Sequence, residues 1–191
     1  MNATSRILPR LIIARLCDCY ESLIMENQIG FRQNRSTTDA IFIVREAIKS
    51  TTNPLYLCMI DLRVAYDHID RDMLFSVLNI RTKAPKIIYL QKALYTGTKA
   101  SIKNTVNSFQ LHTDCHQGGI ESPVLFNINM DFVFRCVEHD VLLKYPNTGL
   151  KYSYHIKSKS SNQEKRSIHN ISGNDRLCML LCADDIVVLT L

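Results

Sequence analysis

The sequence is poor in the features that most often announce a function. Its 191 residues hold only six glycines, and none lies in a Walker-type loop, which excludes a P-loop cradle for phosphates. No Gly-x-Ser-x-Gly elbow is present, so a hydrolase built on that nucleophile is excluded as well. The seven cysteines form no CxxC pair. An odd, scattered set argues against a disulfide scaffold, and Cys58, Cys178 and Cys182 lie inside apolar runs where the thiol acts as a small hydrophobe. That usage suits a reducing, intracellular setting. His112, Cys115 and His116 have a zinc-like spacing, but no second ligand pair follows at a usual distance. No apolar run approaches the roughly 18 residues of a membrane span, so no membrane partner is expected, and no internal repeat is visible. Charge is sparing too: a formal +5 permits a polyanionic partner without establishing one.

What remains is ordinary globular composition, 46% hydrophobic and 21% charged, enough for one well-buried domain or one domain in two lobes. Arg6, Arg10 and Arg15 precede the first acid, Asp18, in the manner of a transit peptide. Ile7, Leu8, Leu11, Ile12 and Leu16 fall at helical spacing, however, and make 5–24 an amphipathic helix with its arginines in water. A polar turn at Glu26-Asn27-Gln28 leads into a basic loop over 30–37. Ser36 or Thr37 is placed to cap a second helix with apolar positions Ala40, Ile41, Val44, Ala47 and Ile48, which Asn53-Pro54 ends. Residues 55–61 read as a strand with too little alternation for a water-facing sheet, which predicts burial on both faces or a strand covered by helices. Helices are expected over 72–78, over 86–94 and from Ser122-Pro123 to about Val141, with a hairpin over 99–112. Residues 144–176 change character. There Lys144, Lys151, Lys157, Lys159, Lys165, Arg166 and Arg176 are opposed only by Glu164 and Asp175, amid Ser, Asn and Gly, and read as a flexible insertion. Its Tyr145, Tyr152 and Tyr154 would also suit contact with single-stranded nucleic acid.

Acid stands where core is expected. Asp61 closes Leu55-Tyr56-Leu57-Cys58-Met59-Ile60-Asp61, and Asp184-Asp185 interrupts the apolar run 177–189. Carboxylates so flanked are costly unless something positive meets them. Each has a plain structural reading, since Asp favours tight turns and a lone Asp at a strand end is a common cap or loop residue. Together they point further. If the strand ending at Asp61 lies beside a 177–191 hairpin, three carboxylates meet at one sheet edge, where mutual repulsion calls for a cation. Hard oxygen donors select magnesium or manganese, with phosphate oxygens in the remaining positions. Two such ions can stabilise the attacking and leaving oxygens of an in-line phosphoryl displacement, with no nucleophilic side chain needed.

Four blocks in order carry a resemblance. They are Gln28-Ile29-Gly30-Phe31-Arg32…Arg35-Ser36-Thr37; Ile60-Asp61-Leu62…Ala65-Tyr66-Asp67; Gln117-Gly118…Ser122-Pro123-Val124-Leu125-Phe126-Asn127; and Ala183-Asp184-Asp185. The series resembles the reverse transcriptases, and within them the LINE-type, non-LTR retrotransposon branch. The resemblance implies an α+β fold: the fingers and palm of a right-hand polymerase, an antiparallel palm sheet with packed helices, and the thumb missing. It implies a single domain over 1–191, with 1–54 mostly fingers and 55–191 palm, the latter holding an intervening fingers segment and the insertion 144–176. The implied activity is RNA-directed DNA polymerisation on an RNA template and DNA primer, using deoxynucleoside triphosphates and two Mg2+ ions, with Mn2+ able to substitute. Asp61, Asp184 and Asp185 are implied as the catalytic metal ligands. Tyr66 is implied as the aromatic under the incoming sugar that rejects a 2′-hydroxyl, and Gln117 and Gly118 as the loop touching the nucleotide. Arg32 and Arg35 are implied as basic fingers residues near template and nucleotide. From spacing alone, Tyr66 is equally a core tyrosine, Arg32 and Arg35 two surface arginines, and Asp67 a helix cap.

Departures from the family pattern are specific. Cys182 stands where Tyr usually precedes Ala-Asp-Asp, and His116 where Arg or Lys usually precedes Gln-Gly. A further basic motif is expected before the chain begins, and the rest of the palm, a thumb, an endonuclease and a cysteine-rich tail are not in it. By resemblance this is a fragment of a retroelement polymerase. The alternative is a nucleic-acid-binding remnant without catalysis. An RNA-copying RNA polymerase shares the palm logic, but the Gly30–Thr37 block and Tyr66 count against it. The sequence sets no oligomeric state.

Overall fold

Two faces of one small sheet organise the protein. The computed structural model describes residues 6–102, 108–111, 113–116, 118–151 and 176–191. Its central sheet has the order β1-β7-β6, all antiparallel, from β1 (Tyr56–Asp61), β6 (Met179–Cys182) and β7 (Asp185–Thr190). Period-two alternation sorts β6 and β7 between two cores. Met179, Leu181, Ile186 and Val188 join the larger core, while Leu180, Val187 and Leu189 join the smaller one. The larger core is built by α1 (Ile7–Tyr20), α3 (Arg71–Thr82), α4 (Pro85–Tyr95) and α5 (Ser122–Lys144); α2 (Thr37–Ser50) and Ile29 cover the other face. The fold is thus mixed helix and antiparallel sheet, as the resemblance implied. Among the described residues no helix is long and apolar enough to cross a membrane.

The helices begin where local chemistry starts them. Ser36 and Asp39 form a capping box at α2, with the Ser36 N–H donating to the Asp39 carboxylate at 2.6 Å. Asp70, not Asp67, caps α3, accepting from the Met73 N–H at 2.7 Å. Pro85 and Pro123 occupy first-turn positions of α4 and α5, where their missing N–H leaves no intrahelical bond unmade. Tertiary packing then chooses the buried faces. In α1 the inward residues are Ile12, Ile13, Leu16 and Tyr20, so Ile7, Leu8 and Leu11 of the expected stripe are exposed, as are the arginines. In α2 the packed face is Ala40, Ile43, Val44 and Ala47, which turns Ile41 and Ile48 to solvent.

The expected cover over β1 is corrected by the sheet order. The strand pairs only with β7, and Leu57, opposite Leu189, is its one residue packed into a core; Met59 is 77% exposed. Cover on both faces belongs to β6 and β7 instead. Cys58 is exposed with its strand, whereas Cys178 is buried, and no disulfide joins the cysteines. The expected hairpin is present as β2 (Lys99–Ser101) paired with β3 (Ser108–Gln110). Residues 150–151 and 176–177 pair as β4 (Leu150–Lys151) and β5 (Arg176–Leu177), and Leu150 and Leu177 are buried. The segment between, with Tyr152, Tyr154 and most of the lysines, lies outside the described residues.

Candidate active site

The acidic residues meet at one end of the central sheet. A two-residue loop, Ala183-Asp184, joins β6 to β7, and Cys182 opposite Asp185 closes it. Ala183 has φ +62°, as the first loop position of a type II′ hairpin requires and glycine usually supplies. On the other side Asp61 lies directly opposite Asp185, and the Leu62 N–H donates to the Asp184 carbonyl at 3.3 Å. Cross-strand partners share a face, so Asp61 and Asp185 project together, about 5 Å apart at their Cβ atoms. Two like charges so placed destabilise a sheet unless a cation relieves them. No ion pair among the described residues involves Asp61, Asp184 or Asp185. Asp61 and Asp185 are exposed and Asp184 half-buried.

This donor set, all hard carboxylate oxygen and open to solvent, fits a divalent cation. The side chains as they stand are less gathered than expected: among the described residues no three acid, histidine or cysteine side chains are drawn together closely enough to hold one. The backbone register sets Asp61 opposite Asp185, with Asp184 in the adjoining loop.

Tyr66 sits beside this end of the sheet. Its ring stacks on Phe126 with centroids 4.3 Å apart and planes 11° from parallel, and its carbonyl accepts the Cys115 N–H at 2.8 Å. Phe126 is fully buried near the start of α5, so the platform is rigid. Burial first, and the nearby Asp184 charge second, push the Tyr66 phenol up to about 12. The ring is half-buried, with one face committed to Phe126.

The loop between β3 and α5 runs past Tyr66 and is pinned by Arg71, which the sequence did not single out. Its Nη1 donates to the Tyr95 carbonyl at 3.1 Å, the Thr98 hydroxyl at 2.7 Å and the Leu111 carbonyl at 3.0 Å. Its other nitrogens hold the Asp114 carbonyl and carboxylate. Next to it Cys115 is fully buried, which together with the Asp114 charge pushes its thiol up to about 12. His116 lies against the Tyr95 ring, and its carbonyl accepts the Ser122 hydroxyl at 2.5 Å. Gly118 is exposed with φ +82°, a conformation that glycine takes without strain. Gln117 lies outside the described residues.

The two arginines of the basic loop differ from each other. Arg32 turns inward, its side chain 6% exposed, to pair with Glu21 at 2.9 Å and to donate to the Met25 and Gln28 carbonyls at 3.0 and 3.1 Å. It is therefore not a surface arginine. Arg35 is partly exposed and pairs with Glu26. Behind the acidic loop lies a feature without local signature: Asn27–Gly30 runs along the outer edge of β6. The Ile29 N–H donates to Leu181 at 2.8 Å, and the Leu181 N–H donates to Asn27 at 2.9 Å. Gln28 and Asn127, both buried, hold this segment from below. In the sequence Gln28, Gly30 and Asn127 stood out only as members of the quoted motif blocks.

A model of the family described as reverse transcriptase (RNA-dependent DNA polymerase) matches residues 1–190. Among solved structures the chain is similar to an apo telomerase from Candida tropicalis, truncated from its C-terminal domain. The TM-score is 0.54 at 14% identity, over 98% of this chain and 34% of that one. The likeness is one of fold. The chain spans about a third of that structure's length, 34%.

Proposed function

The chain belongs to the reverse transcriptase (RNA-dependent DNA polymerase) family, and on that premise we propose that it carries the nucleotidyl-transfer centre of an RNA-directed DNA polymerase. The observation that supports this most is Asp61 set opposite Asp185, with Asp184 in the adjoining loop. In the reaction, the primer 3′-oxygen bonds to the α-phosphorus of a deoxynucleoside triphosphate, the bond to the pyrophosphate oxygen breaks, and the 3′-hydroxyl proton passes to solvent. Asp61, Asp184 and Asp185 would hold two Mg2+ ions, with Mn2+ an alternative. Such ions, when bound, supply charge neutralisation at the attacking and leaving oxygens. Tyr66, fixed on Phe126, offers a flat half-buried wall under the sugar, where a 2′-hydroxyl would collide. Gly118, and Gln117 beside it, would let backbone approach the nucleotide. Arg35 would meet template phosphate, and Arg32 would act through the loop it braces.

Residues 1–54 are read as mostly fingers and 55–191 as palm with an intervening fingers segment. The ordered series of four blocks, from Gln28 to Asp185, supports an origin in the LINE-type, non-LTR branch. A second reading, a remnant that binds nucleic acid without catalysis, draws on the open arrangement of the three carboxylates. Primer extension on an RNA template separates the two. The first reading expects incorporation by the wild type and its loss in Asp184→Asn. Equal incorporation by both removes Asp184 from the centre, and primer–template binding without extension at any Mg2+ or Mn2+ concentration selects the remnant.

A further inference from the structure

We infer that Gly30 is a positioning residue for the acidic loop: the segment Asn27–Gly30 is a backstop that sets where Asp184 and Asp185 stand. The inference rests on reading those carboxylates as the transfer centre. A Cβ at residue 30 would lie 2.3 Å from the Ala183 nitrogen, 2.9 Å from the Cys182 carbonyl carbon and 3.2 Å from the Ala183 Cα. All three are backbone atoms, so no side-chain rotation relieves the contact. Gly30 is outside the left-handed region. Glycine is required there by space, not by backbone angle.

The segment cannot retreat either. The Asn127 Nδ2 donates to the Gly30 carbonyl at 2.7 Å from inside α5, and the Gly30 N–H donates to the Gln28 side chain at 3.2 Å. Asn127 is 3% exposed and Gln28 fully buried. Arg32 then ties the same stretch to Glu21 just past α1 and to the Met25 and Gln28 carbonyls. Anchored to both helices' ends of the core, Gly30 presses on a loop whose Ala183 already holds a φ that alanine rarely takes. A methyl group at residue 30 would displace Ala183, and Asp185 would leave its register with Asp61.

The test uses the full chain and two readouts, hydrogen exchange and titration with Mn2+ alone followed by paramagnetic resonance. In Gly30→Ala, exchange over 181–186 should accelerate by about tenfold or more while amides of α3 and α5 keep wild-type rates. Mn2+ affinity should fall by about tenfold, the scale expected when a support of metal ligands is disturbed. Asn127→Ala, which removes an anchor and adds no atoms, should shift both readouts the same way by less, and it decides the matter if Gly30→Ala does not fold. Adding Ala183→Gly to Gly30→Ala should recover part of the loss, because the loop can then move at less cost. Unchanged exchange in the loop overturns the backstop, as does a rise spread evenly through α3 and α5. Normal exchange coupling with no Mn2+ uptake by the wild type overturns instead the reading of the carboxylates as cation ligands.

Discussion

Asp131 shows what a buried charge costs this chain when it is structural, and so sets the standard for the acids that are not. It is fully buried, accepts the Met25 N–H at 2.7 Å, and pairs with Arg81 and Arg135, each at 2.9 Å. Both arginines also reach the Leu23 carbonyl, so the group joins α3, α5 and the turn after α1. Asp131→Ala should cost about 1–3 kcal/mol in urea unfolding, because the buried Met25 N–H would lose its acceptor and two partly exposed arginines their partner. Asp185→Asn should do the reverse. With chelator present, relief of the like charge opposite Asp61 should raise stability by about 0.2–1 kcal/mol. A fall in stability for Asp185→Asn would mean that its carboxylate serves the fold rather than the site.

At the scale of elements, the starts of α2 and α5 were legible because they are local chemistry. Asp70→Ala should cost about 1 kcal/mol, read in the same unfolding assay, since it removes the bond to the Met73 N–H. Ser36 and Pro123 were read from sequence, as were the two strands around Asp184-Asp185, whereas Asp70 and Pro85 were not singled out. The face each element buries was less legible. Ile41 and Ile48 fit a helical stripe as well as Ile43 does, and only the position of β6 and β7 decides between them. The apolar run of β1 likewise cannot say whether a neighbour covers it, and it proves to be a sheet edge. The three aspartates and Tyr66, proposed for the site, were named from motif order alone. Arg71 was not, because its partners lie 24 to 43 residues away and such pairings leave no local pattern. Gly30 was visible as a motif residue, but its reason, an approach to a loop far along the chain, was not.

For the molecule as a whole, pH offers a check that needs no substrate. Cys115 and Tyr66 keep their protons longer folded than unfolded, so the stability they contribute is intact below their ordinary values of 9 and 10 and is lost as pH rises toward about 12. Cys115 alone should cost on the order of 1 kcal/mol by pH 10, and Cys115→Ala should flatten that decline in thermal melts between pH 8 and pH 10. A wild-type melt that holds steady over this interval would contradict the burial of Cys115. Binding of template should weaken steeply with salt if phosphate contacts dominate it. The most direct measurement remains extension of a DNA primer on an RNA template with deoxynucleoside triphosphates and Mg2+. Asp61→Asn and Asp184→Asn would be compared with wild type and with Asp67→Asn, which lies outside the proposed ligand set. The account predicts that both ligand variants lose about a hundredfold or more while Asp67→Asn does not, and extension by Asp61→Asn and Asp184→Asn at the wild-type rate would contradict it.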